Sequence, residues 1–375
     1  MKGEATVVKN AGSHYLLSCL PEWDLFPAVL RGRIRLKGST ATNPVAVGDR
    51  VSWEWDAPAT GATNSVTGAT TSVTGAANSV TGATNSAGGA TASATEATTS
   101  ATEAAGQGGS SAGAGFAEGF RPTPEHPATI TKVHDRSNYV IRRSTNLSRQ
   151  AHIIAANVDE AFIIVSLYFP EIKLPFLDRI LVTCEVYNVP VTIVLNKVDM
   201  YRDIAGEQIE DFKRIYEGAG YRVIETSALT GEGIDALRAA MGQRVCLLSG
   251  ESGVGKSSII KALDPALDPK VGRISSAHLQ GKHTTSLYEM YRTADGACII
   301  DSPGLRGFGL VDLKKEEIAL YFPEMLEASR RCRFTPCTHT HEPGCAVKEA
   351  VDEGRISTER YNSYLGMLEE DTKFR

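Results

Sequence analysis

Three short polar motifs, each placed directly after a compact apolar run, constrain the fold of this chain more than any other feature. In chain order they are Asn196 to Asp199, Gly250 to Ser257 and Asp301 to Gly304. Short apolar runs that alternate with helical segments are typical of a mostly parallel sheet covered by helices. The chain therefore predicts an α/β domain, which we place at residues 141–310.

The second motif has the composition of a phosphate-binding loop. Gly250 to Ser257 fits G-x-x-x-x-G-K-[ST] and opens a predicted helix that ends at Asp264-Pro265. Its glycines let backbone N–H groups surround phosphate oxygens, and the helix N-terminus adds a positive dipole. We expect Lys256 to reach the β- and γ-phosphates and the Ser257 hydroxyl to bind Mg²⁺. The predicted phosphate-binding residues are Gly250, Glu251, Ser252, Gly253, Val254, Gly255, Lys256, Ser257 and Ser258.

The first motif, N-K-x-D, has the composition of a guanine-binding site. The carboxylate of Asp199 can accept hydrogen bonds from the N1–H group and the exocyclic amine of guanine, and adenine offers neither donor. Thr226-Ser227-Ala228 follows the next apolar run and supplies the Ser-Ala element that backs the base in GTPases. The predicted base-binding residues are Asn196, Lys197, Asp199, Ser227 and Ala228.

The order of the motifs is rotated relative to an ordinary GTPase, in which the phosphate-binding loop precedes N-K-x-D. Asp301 to Gly304 fits D-x-x-G and follows both other motifs. We expect Asp301 to hold Mg²⁺ through water and the Gly304 N–H group to contact the γ-phosphate. All parts are present, so the sequence predicts a P-loop GTPase domain with circularly permuted topology.

The predicted catalytic residues are Lys256, Ser257, His283 and Thr285. Thr284 and Thr285 are both candidates to bind Mg²⁺ and the γ-phosphate, and we favour Thr285. Leu305 follows D-x-x-G, where many GTPases carry a glutamine that orients water. Because an apolar side chain cannot polarise water, we expect slow intrinsic hydrolysis, with the missing group supplied by His283 or by a partner. A structural role for His283 is the alternative.

A cysteine and histidine cluster near the C-terminus has the spacing C-x4-C-x-H-x5-C. Three thiolates and one imidazole suit tetrahedral Zn²⁺, and a closed set of protein ligands indicates a structural site. His341 competes with His339 for the fourth position. The predicted ligands are Cys332, Cys337 and Cys345 with either His339 or His341, in a small, mainly α-helical zinc-binding domain over residues 311–375.

Residues 1–140 are predicted to form a small β-barrel that is interrupted by a low-complexity insertion at 57–119. The insertion repeats units such as GATNSVT and GATTSVT. It has too few large apolar residues to offset chain entropy, so we predict disorder, with a repetitive solenoid as the alternative. Arg31 to Lys37 alternates so that its four basic side chains share one strand face. That strand either faces a polyanion or is a solvated edge.

Composition excludes two classes of protein. A formal net charge of −5 excludes a uniformly basic nucleic-acid coat but leaves a local basic patch possible. No stretch approaches the roughly 20 apolar residues of a membrane-spanning helix. We therefore expect a cytoplasmic protein, and a reducing compartment favours metal binding over disulfides at the cysteine cluster.

Together these motifs resemble the ribosome small-subunit-dependent GTPase A (RsgA) family. The resemblance rests on the permuted order, on GESGVGKS, GKHTTS and DSPG, and on the cysteine and histidine cluster with Glu342-Pro343 inside it. It covers nearly the whole chain outside 57–119. It implies an N-terminal OB-fold, a C-terminal zinc domain and His339 as the fourth zinc ligand.

The resemblance also implies a function. It predicts hydrolysis of GTP to GDP and phosphate with Mg²⁺, one structural Zn²⁺, and a monomer that binds the small (30S) ribosomal subunit and 16S rRNA. The subunit would stimulate hydrolysis during its late maturation. Two rivals are a permuted GTPase that acts on the large subunit and a zinc RNA-binding scaffold with a vestigial nucleotide site. The barrel and the zinc cluster argue against the first, and the intact nucleotide motifs argue against the second.

Overall fold

The computed structural model describes residues 1–32, 45–56, 116, 120–143, 151–267, 288–301 and 313–370. These residues form a β-barrel, an α/β domain and a helical C-terminal domain. Among them, no helix is long and apolar enough to cross a membrane.

The N-terminal strands close a five-stranded barrel. They are β1 (Lys2–Ala11), β2 (His14–Cys19), β3 (Asp24–Leu30), β4 (Arg50–Glu54) and β5 (Ala128–Val133). The pairing runs β1-β2-β3-β5-β4 and returns to β1, and the β3–β5 pair is parallel while the others are antiparallel. Alternate side chains point inward, and the ring centroids of Phe26 and Trp53 lie 5.0 Å apart in the core. The predicted OB-like barrel is confirmed.

Two features of the barrel differ from the sequence prediction. Phe116 falls inside the predicted insertion, yet its ring centroid lies 5.0 Å from that of Phe26 and 5.7 Å from that of Trp53, so Phe116 packs against the barrel core. The predicted strand Arg31 to Lys37 is wrong at its start, because β3 ends at Leu30 and Gly32 turns the chain with a left-handed φ of 59°. Residues 33–37, and the insertion apart from Phe116, lie outside the described residues.

The α/β domain has the predicted mostly parallel sheet. Its strands are β8 (Glu160–Val165), β9 (Val191–Asn196), β10 (Arg222–Thr226), β11 (Val245–Gly250), β12 (Glu289–Arg292) and β13 (Cys298–Asp301). Their spatial order is β10-β9-β8-β11-β13-β12, and of these six strands only β12, the one next to the barrel, is antiparallel to its neighbour. The helices are α1 (Leu174–Val186), α2 (Val198–Gly218), α3 (Ile234–Met241) and α4 (Lys256–Leu263).

This strand order confirms the permuted topology. The strand β8, which comes first in the chain, lies inside the sheet between β9 and β11. The connection from α3 to β11 is short, with Arg244 bonded back to the carbonyl oxygen of Met241. The strands that carry the base motif, β9 and β10, are therefore separated from the phosphate-loop strand β11 only by β8, although the two motifs come in reversed chain order.

The barrel and the α/β sheet are continuous through one strand pair. β1 pairs antiparallel with β12, and Lys9 forms a 2.9 Å ion pair with Glu289 at that junction. A hairpin of β6 (Tyr139–Arg143) and β7 (Ala151–Ala156) follows the barrel. The domain boundary that we predicted at residue 140 falls within β6, and the domain limits stay predictions.

The C-terminal domain is built from short helices. They are α5 (Lys315–Ile318), a 3-10 turn (Ala319–Tyr321), α6 (Pro323–Ser329), α7 (Ala346–Asp352) and α8 (Thr358–Glu370). Phe322, Met325, Val347 and Tyr364 are buried in its core, and Val182 of α1 belongs to the same cluster. The domain therefore packs directly on the first helix of the α/β domain.

A buried arginine joins the two domains. Arg360 of α8 is 1% exposed and donates to both carboxylate oxygens of Glu324, at 2.8 and 3.0 Å, and to Asp178 of α1 at 2.8 Å. The Tyr216 hydroxyl also donates to Asp178, at 3.1 Å. Burial opposes the charge on Arg360, but the two carboxylates outweigh it and raise the pKa of the guanidinium.

We predict that Arg360→Met destabilises the protein by roughly 3–5 kcal/mol, because it leaves two carboxylates without a buried counter-charge. Urea unfolding followed by circular dichroism measures the loss. Arg355→Met is the matched control, because Arg355 pairs with Glu353 on the surface, where such pairs contribute about 0–1 kcal/mol. Equal losses in the two variants would show that the Arg360 cluster does not stabilise the domain contact.

Candidate nucleotide and metal sites

The predicted phosphate loop connects β11 to α4 as the motif requires. Gly253 and Gly255 have left-handed φ angles of 91° and 102°, which L side chains rarely adopt. A β-carbon at Gly255 would lie 2.4 Å from Nδ2 of Asn196, and one at Gly250 would lie 2.4 Å from the carbonyl oxygen of Ile164. Glycine is therefore needed both for the loop conformation and for its close contact with β8 and β9.

The predicted phosphate-binding side chains lie around this loop. The Lys256 ammonium donates to the carbonyl oxygens of Gly250, at 2.6 Å, and Glu251, at 3.1 Å, so it spans the loop. Ser257 and Ser258 follow in the first turn of α4. Asp301 ends β13 and pairs in register with Leu248 on β11, two residues before the loop begins. The residues expected to hold phosphate and Mg²⁺ thus come from adjacent strand ends.

Asn196 connects the base motif to the phosphate loop. Its side chain is 1% exposed, and Nδ2 donates to the carbonyl oxygen of Val254 at 2.8 Å. Its Oδ1 accepts from the Thr226 hydroxyl and from the Ala228 N–H group, both at 3.2 Å. One side chain therefore joins the ends of β9 and β10 to the phosphate loop.

Lys197 makes a second connection. It takes a left-handed φ of 67° at the start of α2, and its ammonium donates to the carbonyl oxygen of Gly253 at 2.6 Å and to that of Phe169. Asp199 lies exposed in the first turn of α2. The buried Ser227 fixes the neighbouring turn, because its hydroxyl accepts from the Thr230 N–H group at 3.1 Å. The five predicted base-binding residues therefore lie at two adjacent strand ends.

Sequence reasoning missed the groups that hold this turn. The buried Tyr201 hydroxyl donates to the Asn196 carbonyl oxygen at 2.6 Å, and Phe169 accepts from Lys197 in the loop between β8 and α1. Neither Tyr201 nor Phe169 belongs to a recognisable sequence motif, so the sequence around them gives no indication of these contacts. His283, Thr284, Thr285, Gly304 and Leu305 lie outside the described residues, and their roles stay predictions.

The four predicted zinc ligands come together in the C-terminal domain. The donor atoms of Cys332, Cys337, His339 and Cys345 all lie within 4.8 Å of one another. Nδ1 of His339 is 3.3 Å from Sγ of Cys345 and 3.7 Å from Sγ of Cys332, and those two sulfurs are 4.0 Å apart. Zn–S bonds of about 2.3 Å in a tetrahedron place sulfurs about 3.8 Å apart. The donor set and its spacing fit Zn²⁺.

The surroundings of the cluster also fit a cation. Burial lowers the pKa of His339, which keeps the imidazole neutral and able to bind a metal. Burial and the neighbouring thiols raise the pKa of Cys337 to about 12, so an added positive charge is what would favour the thiolate. His341, the alternative ligand, is exposed and bonds through Nδ1 to the Thr340 hydroxyl at 2.9 Å.

Glu342 organises the loop that carries His339. Its carboxylate accepts from the Thr338 N–H group at 2.7 Å, the Thr338 hydroxyl at 2.6 Å and the Thr340 N–H group at 3.0 Å. Burial opposes ionisation, but these hydrogen bonds outweigh it and lower the pKa of Glu342 to about 2. From α8, the Tyr361 hydroxyl donates to the His339 carbonyl oxygen, and Tyr364 donates to that of Thr338, both at 2.6 Å.

Comparison with known proteins agrees with this arrangement. YjeQ from Thermotoga maritima has a similar structure, with a TM-score of 0.67, 24% identity and full coverage (100%) of both chains. YloQ, described as a circularly permuted GTPase, has a TM-score of 0.62 and 20% identity over 100% of this chain and 96% of its own. These two likenesses support the fold.

Sequence comparison shows the family. Residues 133–311 match the RsgA GTPase family. The small ribosomal subunit biogenesis GTPase RsgA of Bacteroides fragilis is 39% identical over 377 residues, which cover 100% of this chain and 99% of the relative. The resemblance that the motifs predicted is confirmed, and the chain belongs to the RsgA family of GTP-hydrolysing enzymes.

Proposed function

We propose that this chain hydrolyses GTP on the small ribosomal subunit and acts in the late maturation of that subunit. The observation that carries the proposal is the single site in which Asn196 contacts both the phosphate loop and the Ser-Ala turn. The Bacteroides fragilis relative, similar over its whole length, is named for biogenesis of the small subunit. The barrel pairs with β12 of the α/β sheet, and the C-terminal domain packs on α1, so both are attached to the domain that carries the site.

The residues of the site would bind and orient GTP for attack by water. Backbone N–H groups of the loop and the N-terminus of α4 would hold the phosphates, with Lys256 at the β- and γ-phosphates. Ser257 and Asp301 would hold Mg²⁺, which neutralises charge on the β- and γ-oxygens when bound. Water adds to the γ-phosphorus as its bond to the bridging oxygen breaks, giving GDP and phosphate. Thr285 and His283 are proposed to complete the site.

We further propose that the partner contact includes 16S rRNA and that the protein acts as a cytoplasmic monomer. The OB-like barrel supports the RNA contact, because such barrels bind nucleic acid on a strand face. The Arg31 side chain is 70% exposed and forms a 3.5 Å ion pair with Glu54. Arg31 is the first residue of the basic segment that continues to Lys37. One structural Zn²⁺ is proposed at Cys332, Cys337, His339 and Cys345.

Purified small subunits are expected to raise the kcat of GTP hydrolysis by at least about tenfold, since partner-supplied groups accelerate GTPases by up to about 10⁵-fold. Phosphate release is measured with no subunits, with small subunits and with large subunits. Lys256→Ala is the control for contaminating activity and should give no turnover. Stimulation by large subunits alone would favour the rival assembly function, and no hydrolysis under any condition would favour the RNA-binding scaffold.

Asp199→Asn is expected to weaken GTP binding by roughly 10²-fold or more and to improve binding of xanthosine triphosphate, because the amide can donate to the base oxygen. Equilibrium binding of both nucleotides measures the change. Asp203→Asn, an exposed position on the same helix, is the matched control. Unchanged base preference in Asp199→Asn would remove this carboxylate from base recognition.

Cys337→Ser is expected to lose the bound zinc and to unfold the C-terminal domain, since structural zinc contributes on the order of 10 kcal/mol to such folds. The zinc content measured by metal analysis should fall from one ion per chain to near zero, and the helical circular dichroism signal should decrease. Cys19→Ser in the barrel is the control, because Cys19 lies outside the cluster. Equal zinc content in the two variants would contradict the ligand assignment.

A further inference from the structure

The segment between the first two cysteines of the cluster projects outward from the C-terminal domain. Arg333 to Pro336 is exposed, and Phe334 is 44% exposed although large apolar side chains are usually buried. The guanidinium carbon of Arg333 lies 5.6 Å from the centre of that ring. We call Arg330 to Pro336 the knuckle segment.

The base of the knuckle segment is held in place. Cys332 and Cys337 are two members of the cluster, and the Arg333 N–H group donates to the Gly344 carbonyl oxygen at 3.1 Å. Gly344 has a left-handed φ of 68°, and a β-carbon there would come within 3.3 Å of the Arg333 side chain. The exposed ring is thus presented by an anchored turn, which lowers the entropy lost when the ring contacts a partner.

The charge of this surface is opposite to that of the chain. Residues 328–341 contain three arginines and no aspartate or glutamate, whereas the whole chain has a net charge of −5. Arg330 forms an exposed 2.8 Å pair with Glu327, and Glu342, the nearest following acid, is bonded to Thr338 and Thr340. A surface of this kind suits an anionic partner that also presents flat rings.

We propose that the knuckle segment binds an unpaired nucleotide of RNA, with the base stacked on Phe334 and the flanking phosphates beside Arg331 and Arg333. Single-stranded RNA offers both parts of this contact, because its bases expose their faces and its backbone is anionic. The inference rests on the proposed function, since the RNA would be that of the small subunit. Beyond that function, Phe334 is assigned as the residue that stacks on the base, and the bound nucleotide is assigned as unpaired.

The test is the affinity of full-length, zinc-loaded protein for small subunits with a non-hydrolysable GTP analogue. Phe334→Ala should weaken binding about tenfold, while Phe334→Trp should keep the wild-type affinity because a larger ring still stacks. Leu320→Ala is the matched control, since Leu320 is 47% exposed in the same domain and outside the segment. Zinc content, melting temperature and basal GTP hydrolysis should not change in any of them.

Several outcomes would overturn the proposal. Wild-type affinity in Phe334→Ala, equal weakening in Leu320→Ala, or failure of Phe334→Trp to keep the wild-type affinity each contradicts stacking. A photo-reactive benzophenone side chain in place of Phe334 should crosslink to RNA, and crosslinks to ribosomal protein alone would also overturn it. Failure of the wild-type protein to bind subunits would instead overturn the proposed function.

A salt series separates the arginines from the ring. The logarithm of the binding constant falls with the logarithm of salt in proportion to the phosphates contacted, and Arg331→Ala should reduce that slope by about one. Phe334→Ala should lower affinity with the slope unchanged. An unchanged slope in Arg331→Ala would remove the phosphate contact from the proposal.

Discussion

The side-chain amide of Asn196 is the contact on which the candidate nucleotide site depends. It bonds to Val254 in the phosphate loop and to Thr226 and Ala228 after the next strand, so it joins three strand ends that are far apart in the chain. Because the amide is buried, loss of any partner would leave a polar group unpaired at a cost of about 1–3 kcal/mol. Permutation changes which segments are covalently connected, but this contact preserves their arrangement.

A second set of contacts extends from this site to the cysteine and histidine cluster. Lys197 holds the carbonyl of Phe169 in the loop that precedes α1, and Asp178 of α1 binds the buried Arg360 of α8. The same helix carries Tyr361 and Tyr364, whose hydroxyls donate to backbone carbonyl oxygens of the loop that carries His339. The C-terminal domain is therefore attached to the nucleotide-binding domain by specific buried polar contacts as well as by apolar packing.

The sequence predicted the parts whose chemistry is local. A phosphate loop needs glycines at regular spacing, and a zinc site needs soft ligands close together, so the spacing alone was enough to place Gly255 and Cys337. Arg360 could not be placed in this way, because its partner Asp178 is 182 residues away and an arginine on an amphipathic helix usually lies in solvent. The packing of Phe116 could not be predicted either, because a single aromatic residue in a low-complexity segment forms no periodic pattern.

The most direct test of the central claim compares Asn196→Ala with the wild type in equilibrium binding of GDP and of inosine diphosphate. If Asn196 ties the base motif to the phosphate loop, the variant should bind both nucleotides more weakly by similar factors, about tenfold or more for a lost buried hydrogen bond. Inosine differs from guanosine only by lacking the exocyclic amine, so a role limited to a contact with that amine would weaken GDP binding far more than inosine diphosphate binding. A loss confined to GDP would contradict the account.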